Sequence, residues 1–249
     1  MLWNWVLLFV AAFFAGGLNA VAGGGSFLTL PALVLAGVPP VAANATGTLS
    51  LLPGYIASAW ALRKEIKSLK GISIRLLVAA SLLGGTIGAI LLLWTSAPVF
   101  DALIPWLLLA ATLLFLLAPR LVSKNKSRSS STAAIAFGTL IVAIYGGYFN
   151  GGLGILLLAM FSALGVSNFH AANALKNVVS ALLTVIAVII YVAGDLIYWP
   201  QALWMMLAAT LGGYLGAWAS RYVPIRYLRW GIIIIGLFMT LFFFMRQPY

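Results

Sequence analysis

The chain has 249 residues, of which 64% are apolar and only 7% charged, and its mean hydropathy is +1.13. Soluble domains carry about 25% charged residues, so this composition excludes one and predicts a protein that crosses a membrane several times. The net charge of +11 is spread over short loops without an aromatic platform, which argues against nucleic-acid binding, and the absence of cysteine excludes disulfides and thiol catalysis.

Ten apolar segments follow one another along the chain. Those of the first half are 2–22, 26–36, 41–62, 72–94 and 99–118, and those of the second half are 132–150, 152–164, 170–192, 197–219 and 225–245. A membrane-spanning helix needs about 20 residues, so the segments 26–36 and 152–164 are too short. The predicted fold is an all-α membrane protein with about eight full spans and two short segments. We expect Met1 to Leu18 to be retained, because "MLWNW" lacks the positive charge of a signal peptide.

The two halves repeat each other at a spacing of 128 or 129 residues. The repeated motifs are GGTIGA and GGYLGA at 84 and 212, AAN at 42 and 171, and GV at 37 and 165. Three matches in nearly one register predict a tandem duplication. The predicted organisation is a first repeat over 1–118, a basic cytoplasmic linker over 119–131 and a second repeat over 132–249.

Basic residues favour one of two topologies. If the runs 2–36 and 132–164 each cross the membrane once, the halves are parallel, and Arg221, Arg226 and Arg229 lie opposite the other basic loops. If each run folds back at its glycines, the halves are inverted, and every Lys or Arg outside the spans except Arg246 shares one side. The positive-inside rule favours the inverted halves, with both termini outside.

Glycine clusters precede both short segments. They contain Gly23, Gly24 and Gly25 in the first half and Gly152 and Gly154 in the second. Each glycine costs about 1 kcal/mol in a helix relative to alanine, and broken backbone inside a membrane is tolerated only where it lines a cavity or is buried in protein. Paired breaks in two halves are typical of a transporter site, and close helix packing is the alternative.

The segment GGLNAVAGGGSFLTLPALVLAGVPPVAANATGT begins at Gly16, and YGGYFNGGLGILLLAMFSALGVSNFHAANALKN begins at Tyr145. Together they resemble the two signature copies of the TauE/SafE family of membrane transporters, the sulfite exporter family. The second copy has GGLG for the triple glycine and Ala159 where the first has Pro31. The resemblance implies export of sulfite, sulfoacetate or other sulfonates, without ATP, through a bacterial inner membrane.

A carrier of small anions needs positive potential inside the membrane, which helix N-termini supply. We expect short helices to open at Ser26, whose hydroxyl could cap or donate, and after Gly154. A polar face with the spacing i, i+3, i+4, i+7 follows in the segment 170–192. The predicted substrate-binding residues are Gly23, Gly24, Gly25, Ser26, Asn44, Thr48, Gly152, Gly154, Asn173, Lys176, Asn177 and Ser180.

Lys176 is the basic residue that lies well inside an apolar segment. Intramembrane charge is costly, which favours a functional role, although the side chain could also snorkel to the interface. His170 could relay protons or cap a helix. Glu65, Asp101 and Asp195 lie in a loop or near span ends, so no carboxylate relay is predicted, and the coupling ion is left open between proton and sodium.

Small residues at 80, 84 and 88 and at 208, 212 and 216 predict close helix packing. The chain has no HExxH, GxSxG or P-loop motif, so neither an enzyme nor a cofactor is predicted. The expected partners are a small anionic substrate and membrane lipid, and the oligomeric state is left open. Uptake, a channel, or a structural membrane protein are the alternative functions.

Overall fold

The computed structural model describes residues 2–21, 23–64, 73–123, 131–166, 169–219 and 225–246. These residues form ten helices, and no strand is present among them. The first half contains α1 (Leu2–Val21), α2 (Ser26–Leu35), α3 (Pro40–Ala61), α4 (Ile74–Trp94) and α5 (Ala97–Ser123). The second half contains α6 (Thr132–Tyr148), α7 (Leu153–Ala163), α8 (Phe169–Ala193), α9 (Trp199–Ala219) and α10 (Ile225–Arg246). The predicted all-α architecture is confirmed, and each helix corresponds to one predicted segment.

Helix lengths separate the two short elements from the others. The stretches Leu2–Ala20, Ile74–Trp94 and Ala171–Ala193 are long and apolar enough to cross a membrane. By contrast, α2 has 10 residues and α7 has 11. At 1.5 Å per residue they rise only about 15–17 Å, roughly half of the hydrocarbon core.

The chain reverses direction at both glycine breaks. In the second half, a Cβ atom on Gly146 would lie 2.6 Å from Leu153 Cδ1, and one on Gly138 would lie 2.9 Å from Met160 Sδ. Residue numbers thus rise along α7 as they fall along α6, so the two helices are antiparallel. In the first half, a Cβ on Gly25 would lie 2.7 Å from the carbonyl oxygen of Ala15. The runs 2–36 and 132–164 are therefore not continuous helices.

The repeated GV motif ends both short helices in the same way. Gly37 has φ 91° and Gly165 has φ 90°, in the left-handed region that glycine adopts without steric cost. The amide of Val38 donates to the carbonyl oxygen of Leu33 at 3.0 Å, and the amide of Val166 makes the corresponding bond to Phe161 at 2.9 Å. Both ends are Schellman motifs, which explains why this dipeptide is repeated.

Helix packing interlocks the two halves. The pair α1–α9 corresponds to α6–α4, the pair α3–α9 to α8–α4, and the pair α2–α10 to α7–α5, while α3 packs against α8. If each helix is replaced by the equivalent helix of the other half, each of these packed pairs becomes the pair to which it corresponds. Every helix of each half except the short one thus packs mainly against the other half, so neither half is an independent bundle.

Small residues bring the interlocked helices together, as their spacing predicted. A Cβ on Gly84 would lie 2.6 Å from Ala143 Cβ, and one on Gly88 would overlap the carbonyl oxygen of Ile144, so α4 lies directly on α6. A Cβ on Gly212 would overlap the carbonyl oxygen of Phe13 in the equivalent contact of α9 with α1. The surroundings of Gly216 lie outside what the structure describes.

Candidate transport site

The two breaks touch each other at the boundary between the halves. A Cβ atom on Gly154 would lie 2.6 Å from Gly23 Cα, and both residues are buried. Gly23 also has φ 85°, which side chains rarely adopt. We call this contact between Gly23 and Gly154 the crossing of the breaks. It depends on close packing, because neither position has room for a side chain.

The start of α7 differs by two residues from the prediction. The helix begins at Leu153, so Gly154 lies in its first turn instead of before it. Gly152 precedes the helix with φ 72°, and its carbonyl oxygen accepts from the amides of Ile155 and Leu156 at 3.0 and 3.1 Å. These bonds use some of the N–H groups in the first turn of α7, which are therefore not free for a ligand.

Ser26 ties the two breaks together. Its hydroxyl donates to the carbonyl oxygen of Asn150 at 3.1 Å, in the break of the other half. No side chain caps α2, which begins after Gly25 in right-handed helical geometry. The serine therefore neither caps the helix nor keeps its proton free for a ligand in this structure.

Lys176 is fully buried, at 0% exposure. Its Nζ atom has no hydrogen-bond partner among the described residues. A Cβ on Gly154 would lie 3.2 Å from Lys176 Cδ, so the lysine stem packs against the first turn of α7. The ammonium group does not snorkel to the surface, and it lies beside the crossing of the breaks.

Further buried hydroxyl groups without partners lie near this lysine in the sequence. Ser180 and Thr184 follow Lys176 on the same face of α8. Thr48, on α3, occupies the position in the first half that Asn177 occupies in the second. None of their hydroxyl groups has a hydrogen-bond partner within the described part of the chain. The helices that carry the two predicted polar faces, α3 and α8, pack against each other across the boundary between the halves.

A cluster around Tyr55 joins the breaks. The Tyr55 hydroxyl donates to Asn150 Oδ1 at 3.4 Å, and the Asn19 side chain lies close to this hydroxyl. Asn19 Oδ1 is buried and has no hydrogen-bond partner in the described structure. The sequence prediction missed all three residues. A signal was present, since each half places an asparagine shortly after paired glycines, in GGLN and GGYFN.

A cavity of about 490 Å³ lies between α1, α3, α8 and α9. Its polar lining includes Asn19, Asn173 and Asn177. It also reaches Leu62, which directly precedes the exposed residues Arg63 and Lys64. This volume is within the range of small-molecule sites.

The corresponding asparagines of the two halves differ in their surroundings. Asn44 is 3% exposed, and its Nδ2 donates to the carbonyl oxygen of Tyr148 at 3.0 Å. The Tyr191 hydroxyl closes the same region by donating to the carbonyl oxygen of Gly147. Asn173, the counterpart of Asn44, instead lines the cavity, and its Oδ1 is unpaired among the described residues. Asn44 is therefore held by a hydrogen bond in a packed region, whereas its counterpart Asn173 faces a cavity.

Residues 8–243 match the family model for the sulfite exporter TauE/SafE. The chain is 31% identical over 239 residues to a probable membrane transporter protein of Haemophilus influenzae, covering 94% of this chain and 92% of that one. It is 30% identical over 215 residues to the probable membrane transporter protein YfcA of Escherichia coli K12, covering 85% and 78%. No solved structure matches the chain significantly.

The chain belongs to the TauE/SafE family. It is therefore a membrane transporter of that family, and the expected resemblance is confirmed over most of its length.

The predicted site residues of this TauE/SafE transporter form three groups. Gly23, Gly154 and Lys176 are brought together at the crossing, and Asn173 and Asn177 line the cavity. The remaining predicted residues are also buried: Gly24, Gly25, Ser26, Asn44, Thr48, Gly152 and Ser180. The His170 side chain, Glu65 and most of the linker lie outside the described residues.

Proposed function

We propose that this TauE/SafE transporter exports small sulfur-containing anions, such as sulfite, sulfoacetate or other organosulfonates, across a bacterial inner membrane without ATP hydrolysis. Lys176 is the observation that carries the proposal. Its ammonium group is fully buried, has no partner among the described residues and lies beside two helix breaks. A buried charge without a counter-ion is costly, and an anionic substrate relieves that cost when it binds.

The described acidic residues do not neutralise this lysine. Asp195 is exposed and follows Lys176 by 19 positions, which is roughly 28 Å along a helix. Asp101 lies in the first turns of α5 and is not fully buried. Positive charge with nearby hydroxyl and amide donors suits a compact oxyanion, which accepts several hydrogen bonds at once.

The proposed topology has inverted halves with α2 and α7 reaching about halfway through the membrane. The chain reversal at both breaks, the exchangeable helix pairs and the distribution of basic residues support it. In that topology, Arg63 and Lys64 face the cytoplasm and the cavity opens toward them. An exporter loads its substrate from that side, while Asn44 and Tyr191 keep the opposite side closed.

Transport by purified protein in liposomes tests this function. Sulfite, sulfoacetate and taurine are loaded in separate vesicles, and their efflux is measured without nucleotide against protein-free vesicles. We expect at least one sulfur-containing anion to leave faster, with a rate that saturates and with exchange against the same unlabelled anion. Equal efflux from both kinds of vesicle for every anion would contradict the function, and non-saturating flux would indicate a channel.

A further inference from the structure

We infer that Asn150 is an additional substrate-binding residue, whose side-chain N–H group donates to the anion beside Lys176, and that Tyr55 positions this amide. The inference rests on the proposed anion transport and adds a specific donor to it. Asn150 was not among the residues predicted from the sequence.

Asn150 is 1% exposed, and its two oxygen atoms are both hydrogen-bonded. Its carbonyl oxygen accepts from the Ser26 hydroxyl at 3.1 Å and from the Leu153 amide at 3.3 Å. Its Oδ1 accepts from the Tyr55 hydroxyl at 3.4 Å. Nδ2 has no partner among the described residues. Buried amides normally use both ends, so the free N–H group indicates a missing acceptor.

Tyr55 determines which end of the amide is free. Its hydroxyl donates to Asn150 Oδ1 at 3.4 Å, across the boundary between the halves. The oxygen end of Asn150 is thereby held, and the nitrogen end is kept for another acceptor. Tyr55 is itself 1% exposed, so water does not compete freely for this arrangement.

Asn150 and Lys176 border the same short segment, residues 150–154. The bond from the Leu153 amide to the Asn150 carbonyl closes this segment into a turn, and Gly154 at its end packs against Lys176 Cδ. Two buried donors without partners, one of them charged, therefore flank one turn at the crossing of the breaks. A small oxyanion accepts from both kinds of donor.

Three variants in the liposome assay test the inference: Asn150→Ala, Asn150→Asp and Tyr55→Phe. We expect Asn150→Ala to raise the half-saturating concentration of sulfite or sulfoacetate about tenfold, with a smaller change in maximal rate, as for loss of one hydrogen bond to a charged group. Asn150→Asp should be more damaging, because a carboxylate repels the anion or pairs with Lys176. Ser81→Ala, which removes a buried hydroxyl bonded only within its own helix, is the matched control.

If Asn150 has only a structural role, the two substitutions have the opposite order of severity. Aspartate retains the oxygen that accepts from Tyr55, so Asn150→Asp would then be milder than Asn150→Ala. That order, or an unchanged half-saturating concentration in Asn150→Ala, overturns the inference. Tyr55→Phe should raise this concentration about threefold alone and add little to Asn150→Ala, because Tyr55 acts through Asn150. Full additivity would overturn the positioning role.

Folding and the proposed function are checked separately. Size-exclusion profiles show which variants remain intact, and if Asn150→Ala does not fold, Asn150→Asp and Tyr55→Phe carry the test by the same concentration dependence. Absence of anion flux in the wild-type protein contradicts the proposed function, and the inference falls with it. Wild-type flux with unaffected Asn150 variants overturns the inference alone.

Discussion

At the scale of single residues, the space for Lys176 depends on the missing side chain of Gly154. The lysine stem passes 3.2 Å from the place where a Cβ atom would lie. The corresponding position on α3 is Gly47, where a Cβ would instead lie 2.9 Å from Thr29 Oγ1. Lys176 on α8 thus packs against a glycine of the short helix α7, whereas its counterpart Gly47 on α3 packs against Thr29 of the short helix α2.

We predict that Lys176→Arg impairs transport although it keeps the charge. A guanidinium group is larger and planar, and the packing against Gly154 leaves it little room. The half-saturating anion concentration should rise about tenfold or more, within the range expected for a distorted charged hydrogen bond. Lys64→Arg, at an exposed position, is the matched control and should be unchanged. Wild-type affinity in Lys176→Arg would show that the ammonium geometry is unimportant.

Helical spacing was sufficient to predict that Lys176, Asn177 and Ser180 share a buried face, because residues three and four apart lie together on any helix. It was not sufficient to identify Tyr55 and Asn150 as partners. These two residues are 95 positions apart and lie in different halves. Periodicity shows which face of a helix is polar, but the partner of that face depends on how the halves interlock.

At the scale of elements, the glycine clusters predicted both helix breaks correctly, because glycine is the residue that ends helices and permits left-handed backbone. The exact start of α7 was missed by two residues. Several glycines of GGLG could precede the helix, and only the backbone conformation of Gly152 decides between them.

The contact between the breaks predicts the effects of three glycine substitutions. Gly154→Ala places a Cβ 2.6 Å from Gly23 Cα, and Gly23→Ala adds an unfavourable φ of 85° to the same overlap. Each should lower stability by about 1–3 kcal/mol, as overpacking does, and reduce transport. Gly54→Ala is the control, since no atom lies within 4 Å of its Cβ position. Thermal unfolding in detergent measures the stabilities, and unfolding temperatures equal to the wild type for the first two would contradict the crossing.

At the scale of the whole molecule, the sequence repeat predicts a duplication, and the corresponding residues Gly37 and Gly165 have the same backbone conformation. The interlocking of α1 with α9 and of α4 with α6 could not be predicted from the repeat alone. A repeat shows that two halves share a fold, whereas the surface they share depends on where small residues of both halves face each other.

Side-specific labelling tests the inverted topology, and the natural absence of cysteine makes single-cysteine variants simple to interpret. We predict that an impermeant thiol reagent reaches Lys64→Cys only from the cytoplasmic side. Leu2→Cys and Met245→Cys, both at exposed positions near the termini, should react only from the opposite side. Labelling of all three from one side would instead support parallel halves.

The central claim is that an anion binds beside Lys176 at the crossing of the breaks. Its most direct test is the concentration dependence of sulfite and sulfoacetate efflux from liposomes that contain wild-type protein or Lys176→Met. Methionine fills a similar space without charge, so the protein should fold normally while transport at sub-saturating anion falls about tenfold or more, as for loss of a charged hydrogen bond. Equal efflux by the two proteins, with both intact, would contradict the claim.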